Sequence, residues 1–136
     1  MELQNKINEN GLSDVVNLRG VTNDIVDAYH DHSVYVMSSR TEGFPLVLIE
    51  TGICGLPIVA YDCPSGPNEI VVHGENGFLV SPVGNIKSMA DYLMRLMSDK
   101  KLRQQMGHKS VELSKRFQLE NIAQEWIQLY NQLLNS

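Results

Sequence analysis

Four short apolar runs recur between Val15 and Val80, about 20 positions apart, with helical patterns filling the gaps. They are Val15-Val16-Asn17-Leu18, Val34-Tyr35-Val36, Ile58-Val59-Ala60-Tyr61 and Phe78-Leu79-Val80. Strands alternating with helices at this spacing build a parallel sheet with right-handed crossovers. Ile58–Tyr61 is apolar throughout, as a parallel strand covered on both faces should be. The expected fold class is therefore α/β, with helices flanking the sheet.

Punctuation residues set the helix limits. Asn10-Gly11 caps a helix tail over Glu2–Gly11, and Thr22 or Asn23 opens a helix that runs to about Asp31. Pro45 stands where a first helical residue is expected, and Gly55 with Pro57 ends that helix after Cys54. A short helix is expected from Asn68 to about Val72, followed by a His73-Gly74 stop and an Asn76-Gly77 turn. The chain changes character near Asn85. Seven of the ten Gly lie between Glu42 and Gly84, as do all five Pro, and Gly107 is the only breaker beyond. Residues 14–84 thus read as an α/β core and 85–136 as a helical tail, within one partial domain spanning 1–136. Three helical stripes mark the tail: Ile86, Met89, Ala90, Leu93, Met97; then Leu102, Met106, Leu113; then Leu119, Ile122, Ala123, Trp126, Leu129, Tyr130, Leu133. All three are expected to pack in the core.

A chain of 136 residues with 43% hydrophobic and 20% charged residues has the makings of one globular domain. Its net charge of −5 argues against nucleic acid, which needs clustered Lys and Arg. One phosphorylated small ligand remains compatible, because backbone N–H groups can hold it locally. Cys54 and Cys63 form no disulfide framework and fit a reduced, cytoplasmic setting. The start Met1-Glu2-Leu3-Gln4-Asn5 lacks signal-peptide character, and the uncharged run Thr51–Tyr61 is too short to span a membrane.

In parallel sheets ligands sit beyond the carboxyl ends of the strands. Those ends are Arg19-Gly20-Val21, Ser38–Gly43 and Asp62–Pro67. The second loop runs into Glu42-Gly43-Phe44-Pro45-Leu46-Val47-Leu48-Ile49-Glu50, two carboxylates separated by seven apolar or small residues. The helix from Pro45 is apolar nearly all round and should be buried. Its first amides, at Leu46 and Val47, have no acceptor inside the helix, and its N-terminus favours an anion. Gly43 permits close approach to the backbone. Glu50 lies roughly 7 Å along the helix axis, with Glu42 on the other side of the N-terminus. A diphosphate at the helix start would then have a hydroxylated group on each flank, each held by a carboxylate. The ligand implied is a nucleotide sugar.

At these residues the sequence also resembles a family. The E-x7-E pair, its lead-in Ser38-Ser39-Arg40-Thr41-Glu42-Gly43-Phe44-Pro45, Gly55-Leu56-Pro57-Ile58-Val59-Ala60, Gly66-Pro67-Asn68-Glu69-Ile70 and Asn76-Gly77-Phe78-Leu79-Val80 look like the retaining glycosyltransferases of family 4. The resemblance implies a Rossmann-like, C-terminal donor-binding half of a GT-B fold. It implies that Glu50 binds ribose hydroxyls and that Glu42 sits by the transferred sugar in a catalytic, positioning role. Leu46 and Val47 amides would meet phosphate or sugar, and Arg19-Gly20-Val21 would lie beside the base. Transfer would be metal-independent, with the donor a co-substrate and no cofactor. The family's donor domain opens with a further strand and helix whose loop carries an Arg and a Lys, and nothing before Val15 matches them. The chain therefore looks like an N-terminally truncated fragment, inactive alone, with its glycan or lipid-linked acceptor held by a missing N-terminal domain. The full enzyme is expected to associate peripherally with the inner face of the membrane. A truncated sheet edge would also favour a homo-oligomer.

Three other readings stand beside this one. The chain is a non-catalytic nucleotide-sugar module that pairs with a separate acceptor-domain chain, or a plain interaction domain without a ligand. A salt bridge from Glu50 to Arg19 or Arg40 would make that carboxylate structural. His30, His32, Cys54, Cys63 and His73 lack metal-ligand spacing, and no G-x-G-x-x-G or G-x-S-x-G motif is present.

Overall fold

In the computed structural model, which describes residues 2–135, α1 (Glu2–Glu9) precedes α2 (Ile25–His30) and the strand β1 (Tyr35–Met37). Then follow α3 (Leu46–Ile53), β2 (Ile58–Tyr61), α4 (Pro67–Ile70) and β3 (Gly77–Val80). The tail is α5 (Ile86–Ser98), α6 (Lys100–Ser114), a 3-10 turn (Lys115–Phe117) and α7 (Leu119–Leu134). The sheet is parallel in the order β1-β2-β3, with Val36 beside Val59 and Val59 beside Phe78.

Side-chain alternation along β2 divides the core into two layers. Ile58 and Ala60 join Met37, Leu48, Ile70 and Val71 on one face. Val59 and Tyr61 join Phe78, Val80, Met89, Leu96 and Met106 on the other, under α5 and α6. Both faces of the central strand are covered, as its unbroken apolar run requires. The helices α3 and α6 approach through glycine. A Cβ on Gly52 would collide with Ser114 Oγ, and one on Gly107 with the Gly55 carbonyl.

Four expectations need correction. Residues 15–18 form no strand. The Val15 and Val16 amides turn back onto the Leu12 carbonyl, and Val15 is 72% exposed. A strand exists only with a ladder partner, and this segment finds none among the described residues. The cap of α2 is Asp24, whose side chain accepts from the Asp27 amide, while Thr22 Oγ1 accepts from the Asp24 amide just before it. The α3 helix is not buried all round: Leu48, Thr51 and Gly52 are buried, while Leu46 and Ile53 are exposed. The α3 helix packs on α6, α4 and β2, and its apolar residues turned away from them gain no burial. The stripe on α7 is likewise not core. Trp126, Leu129, Tyr130 and Leu133 are exposed, and α7 packs chiefly on the 3-10 turn. Ile86 and Met97, at the ends of the α5 stripe, are exposed as well.

The two sheet edges differ. On the outer edge of β3, the Leu79 amide donates to His73 Nδ1 and the Gly74 amide to the Gly77 carbonyl, so that edge is occupied by the chain itself. β1 pairs with β2 alone.

The Asn76-Gly77 turn is also a buried clamp. Asn76 Oδ1 accepts from the Val72 amide at 2.7 Å, and its Nδ2 donates to the Ile70 carbonyl at 3.2 Å. The Asn76 carbonyl accepts from Ser110 Oγ and from the Ile58 amide. Asn76→Ala leaves one buried donor and one acceptor unpaired, and is expected to cost about 2 kcal/mol in urea unfolding. A loss below about 0.5 kcal/mol would show the clamp to be idle.

Candidate functional site

The loop after β1 delivers Glu42, Gly43 and Phe44 to the start of α3. Glu42 is half-buried and Pro45 is buried, while Gly43 is open and Phe44 is 44% exposed. Pro45 occupies the cap position and offers no side-chain acceptor. The expectation of two free amides is reduced to one. The Leu46 amide donates to the Phe44 carbonyl at 2.9 Å, closing a tight three-residue turn, and the Leu48 amide donates to the Pro45 carbonyl. The Val47 amide has no acceptor among the described residues.

The loop after β2 lies directly on this turn. A Cβ on Gly66 (φ +120°) would collide with Pro45 Cδ and come within 3.3 Å of Phe44 Cα. Ser65 beside it adopts φ +67°, a left-handed conformation rare for a residue with a Cβ. The 3-10 turn fastens both loops. Phe117 packs edge-to-face on Phe44 at 5.9 Å, and Arg116 donates to the Glu69 carbonyl. The Gly66-Pro67-Asn68 segment therefore belongs to the same surface as Glu42 and Phe44.

Glu50 is exposed on α3, not sequestered in an apolar interior. Its partner is neither Arg19 nor Arg40, and no ion pair of Glu50 occurs among the described residues. Instead Tyr29, only 6% exposed on α2, donates its hydroxyl to Glu50 Oε2 at 3.3 Å. The Tyr29 ring stands edge-on to Tyr35 at 6.0 Å. Burial raises the pKa of both tyrosines. The Glu50 charge adds to the rise at Tyr29, and the charges of Glu42 and then Glu50 add to it at Tyr35. Both phenols therefore keep their protons at neutral pH, and Tyr29 acts as a donor. Tyr35 thus feels the charge of both carboxylates. In the sequence Tyr29 falls on the apolar side of this helix with Ile25 and Val26, and no residue spacing connects its phenol to Glu50.

Arg19, Gly20 and Val21 do not touch the carboxylates. They are exposed and line a separate open cavity of about 550 Å³, whose walls include Asp24, Asp27, Ala28 and His32. The α2 helix connects the two regions: Ala28 faces this cavity, and its neighbour Tyr29 holds Glu50. Among the described residues no helix is long and apolar enough to cross a membrane.

Comparison with known proteins gives a consistent picture. The family model described as glycosyl transferases group 1 matches residues 1–112. An exopolysaccharide phosphotransferase of Streptomyces coelicolor is 39% identical over 134 residues, covering 98% of this chain and 14% of that protein. The poly(ribitol-phosphate) alpha-N-acetylglucosaminyltransferase of Staphylococcus aureus is 31% identical over 126 residues, covering 92% of this chain and 25% of that protein. The chain thus spans about a seventh to a quarter of the length of these curated relatives. Among solved structures, Anabaena Alr3699/HepE in complex with UDP superposes with a TM-score of 0.87 at 28% identity, covering 96% of this chain and 36% of that one. The C-terminal domain of a glycosyl transferase group 1 family protein (LpcC) from Francisella tularensis superposes with a TM-score of 0.74 at 30% identity, covering 87% and 62%. The fold is that of the C-terminal half of a GT-B enzyme, Rossmann-like with a parallel sheet.

Proposed function

The chain belongs to the glycosyl transferases group 1, and from that footing we propose that it is the nucleotide-sugar-binding portion of a retaining hexosyltransferase acting on a glycan or lipid-linked acceptor. The observation that carries this reading is the uncapped start of α3, with its unspent Val47 amide, flanked by Glu42 in the loop and by Glu50 held by Tyr29. The unspent amide and the helix dipole suit the diphosphate, stabilising negative charge there by about 0.3–1 kcal/mol in an exposed site. Glu50 accepts hydrogen bonds from the ribose hydroxyls. Its Oε2 already takes one from Tyr29, which fixes the carboxylate and leaves Oε1 and a second lone pair for the ligand. Glu42, Gly43, Phe44 and Pro45 border the transferred sugar, with Glu42 stabilising the charge that develops there. Leu46 contributes its position at the rim of the site, since its amide is already bonded. The Arg19-Gly20-Val21 cavity, one residue along α2 from Tyr29, takes the base. The similarity to a structure solved with UDP supports uracil as the base.

The test is calorimetric titration of the chain with UDP, GDP and their sugars, and with 2′,3′-dideoxy-UDP. UDP is expected to bind, and the dideoxy analogue to bind at least about tenfold more weakly because it has no hydroxyls for Glu50. Equal affinity for the two would remove the ribose role. No binding of any nucleotide would remove the reading altogether. The 136-residue chain is expected to show no sugar transfer, because its relatives are several times longer. Measured turnover by the chain alone would contradict that.

A further inference from the structure

A second cavity of about 240 Å³ lies at the opposite end of the sheet, where strands begin: Ser33, just before β1, and Pro57, just before β2, form part of its wall. Its polar lining includes His30, His32, Lys100, Arg103 and Gln104, and no carboxylate. That composition stands out in a chain of net charge −5. The other lysines that pair do so with acids: Lys6 with Glu2, Lys87 with Asp91, and Lys109 with Glu75 and Glu112. Neither Lys100 nor Arg103 has a carboxylate within ion-pair distance among the described residues. The nearest acids in sequence are committed elsewhere. Asp99 Oδ1 accepts the Leu102 amide as the α6 cap, and Asp31 lines the separate cavity beside Arg19.

Arg103 is held in place by the protein itself. Its Nη1 donates to the Leu96 carbonyl at 2.6 Å and to the Met97 carbonyl at 2.9 Å, where α5 ends. That uses the two hydrogens on one nitrogen and leaves the Nε–H and both Nη2 hydrogens without an acceptor among the described residues. The unspent edge is the one that matches two oxygens of a phosphate side by side. His32 Nδ1 donates to the Ala28 carbonyl, which fixes the ring on the cavity wall. Unneutralised cations around a concavity, with one guanidinium already immobilised, form a site for a small oxyanion.

We propose that this cavity binds a phosphate group, with Arg103 as the anchor, Lys100 supplying further charge, and His30 and His32 on its wall. The proposal does not depend on the proposed function: Lys100 and Arg103 belong to neither carboxylate's surroundings, although Tyr29, which holds Glu50, and His32, which also lines the Arg19 cavity, border this cavity too. The phosphate comes from either a soluble ester or a lipid headgroup, and the recognising chemistry is the same.

The test uses the full 15N-labelled chain saturated with UDP, so that the donor region is filled, and inorganic phosphate as the probe. Amide shifts of Ser33, Gly55 and Gln104 are expected to saturate in the millimolar range, below about 50 mM, with sodium chloride at matched ionic strength producing none. Arg103→Gln and Lys100→Gln should each weaken phosphate by about fivefold or more and leave UDP affinity unchanged. Lys100→Gln is the safer variant, since Lys100 is exposed and its side chain makes no ion pair among the described residues. A flotation arm with phosphatidylcholine vesicles containing phosphatidic acid identifies the source. Co-flotation that is lost in Lys100→Gln assigns a headgroup, and saturable phosphate binding without co-flotation assigns a soluble ester. Shifts that fail to saturate, that chloride reproduces, or that both variants leave intact overturn the proposal. The same NMR series without UDP reports on the donor region separately, so failure of one site is distinguishable from failure of the other.

Discussion

Replacing Glu50 by alanine is expected to weaken UDP binding by about 10- to 100-fold. The loss corresponds to one or two charge-assisted hydrogen bonds, each contributing about 1.5–3 kcal/mol, at roughly 1.4 kcal/mol per tenfold. Stability should scarcely change, because Glu50 is exposed and its partner Tyr29 can turn its hydroxyl to water. Affinity for 2′,3′-dideoxy-UDP should be unaltered by the same substitution, since the contact removed is one that analogue cannot make. Tyr29→Phe should show the same pattern at lower amplitude, about two- to fivefold, because it removes the group that orients Glu50 and leaves the carboxylate present. If Glu50→Ala weakens UDP and the dideoxy analogue equally, the carboxylate is acting on the fold or on the phosphates. If neither affinity moves, Glu50 has no part in the site.

Phe78→Ala is expected to be the most destabilising single truncation in the chain, at about 3–5 kcal/mol. Phe78 is 2% exposed at the centre of the larger core layer. Its ring stacks on Tyr92 at 4.3 Å, meets His73 edge-on at 5.5 Å and lies under the Arg95 guanidinium at 5.2 Å. Alanine removes the ring from all three partners and leaves a cavity between β3 and α5. Against a total of about 5–15 kcal/mol for a domain, such a loss brings the melting temperature down by about 10–20 °C. A thermal melt shifted by less than about 5 °C would mean that Tyr92 collapses into the space and the layer is looser than its geometry indicates.

The architecture was readable from the chain to a useful degree. Val34–Val36, Ile58–Tyr61 and Phe78–Leu79–Val80 fall on the three strands, and the helices after Pro45 and Asn85 start within a residue of their expected places. Local signals were enough there because the apolar runs are short and set off by polar or breaker residues, and because β2, the central one, is buried on both faces. Residues 15–18 have the same local signal and no strand, since ladder partners are a long-range property. The α7 stripe failed for a related reason: amphipathic periodicity shows that a face is apolar, not that anything lies against it.

At the candidate site the same division holds. The E-x7-E spacing and the helix start at Pro45-Leu46 were visible in the chain. The loss of the Leu46 amide to Phe44 was not, because it depends on how tightly one turn closes. The hydroxyl that holds Glu50 comes from Tyr29, 21 residues earlier, and the surface that Phe44 shares with Gly66 and Phe117 is assembled from three separate segments.

By itself, then, the amino-acid sequence determined the fold class, the position of the helix that begins after the second loop, and the spacing of the carboxylates before and after that helix start. These follow from hydrophobic period, breaker residues and spacing, all of which act over a few residues. Only the tertiary structure decided which amide remains unspent, which side chain holds Glu50, and that Lys100 and Arg103 of α6 share a cavity with His30 and His32 and with no acid in its lining. Those outcomes depend on segments brought together by packing across the sheet, and no local pattern encodes the distance between residues far apart in the chain.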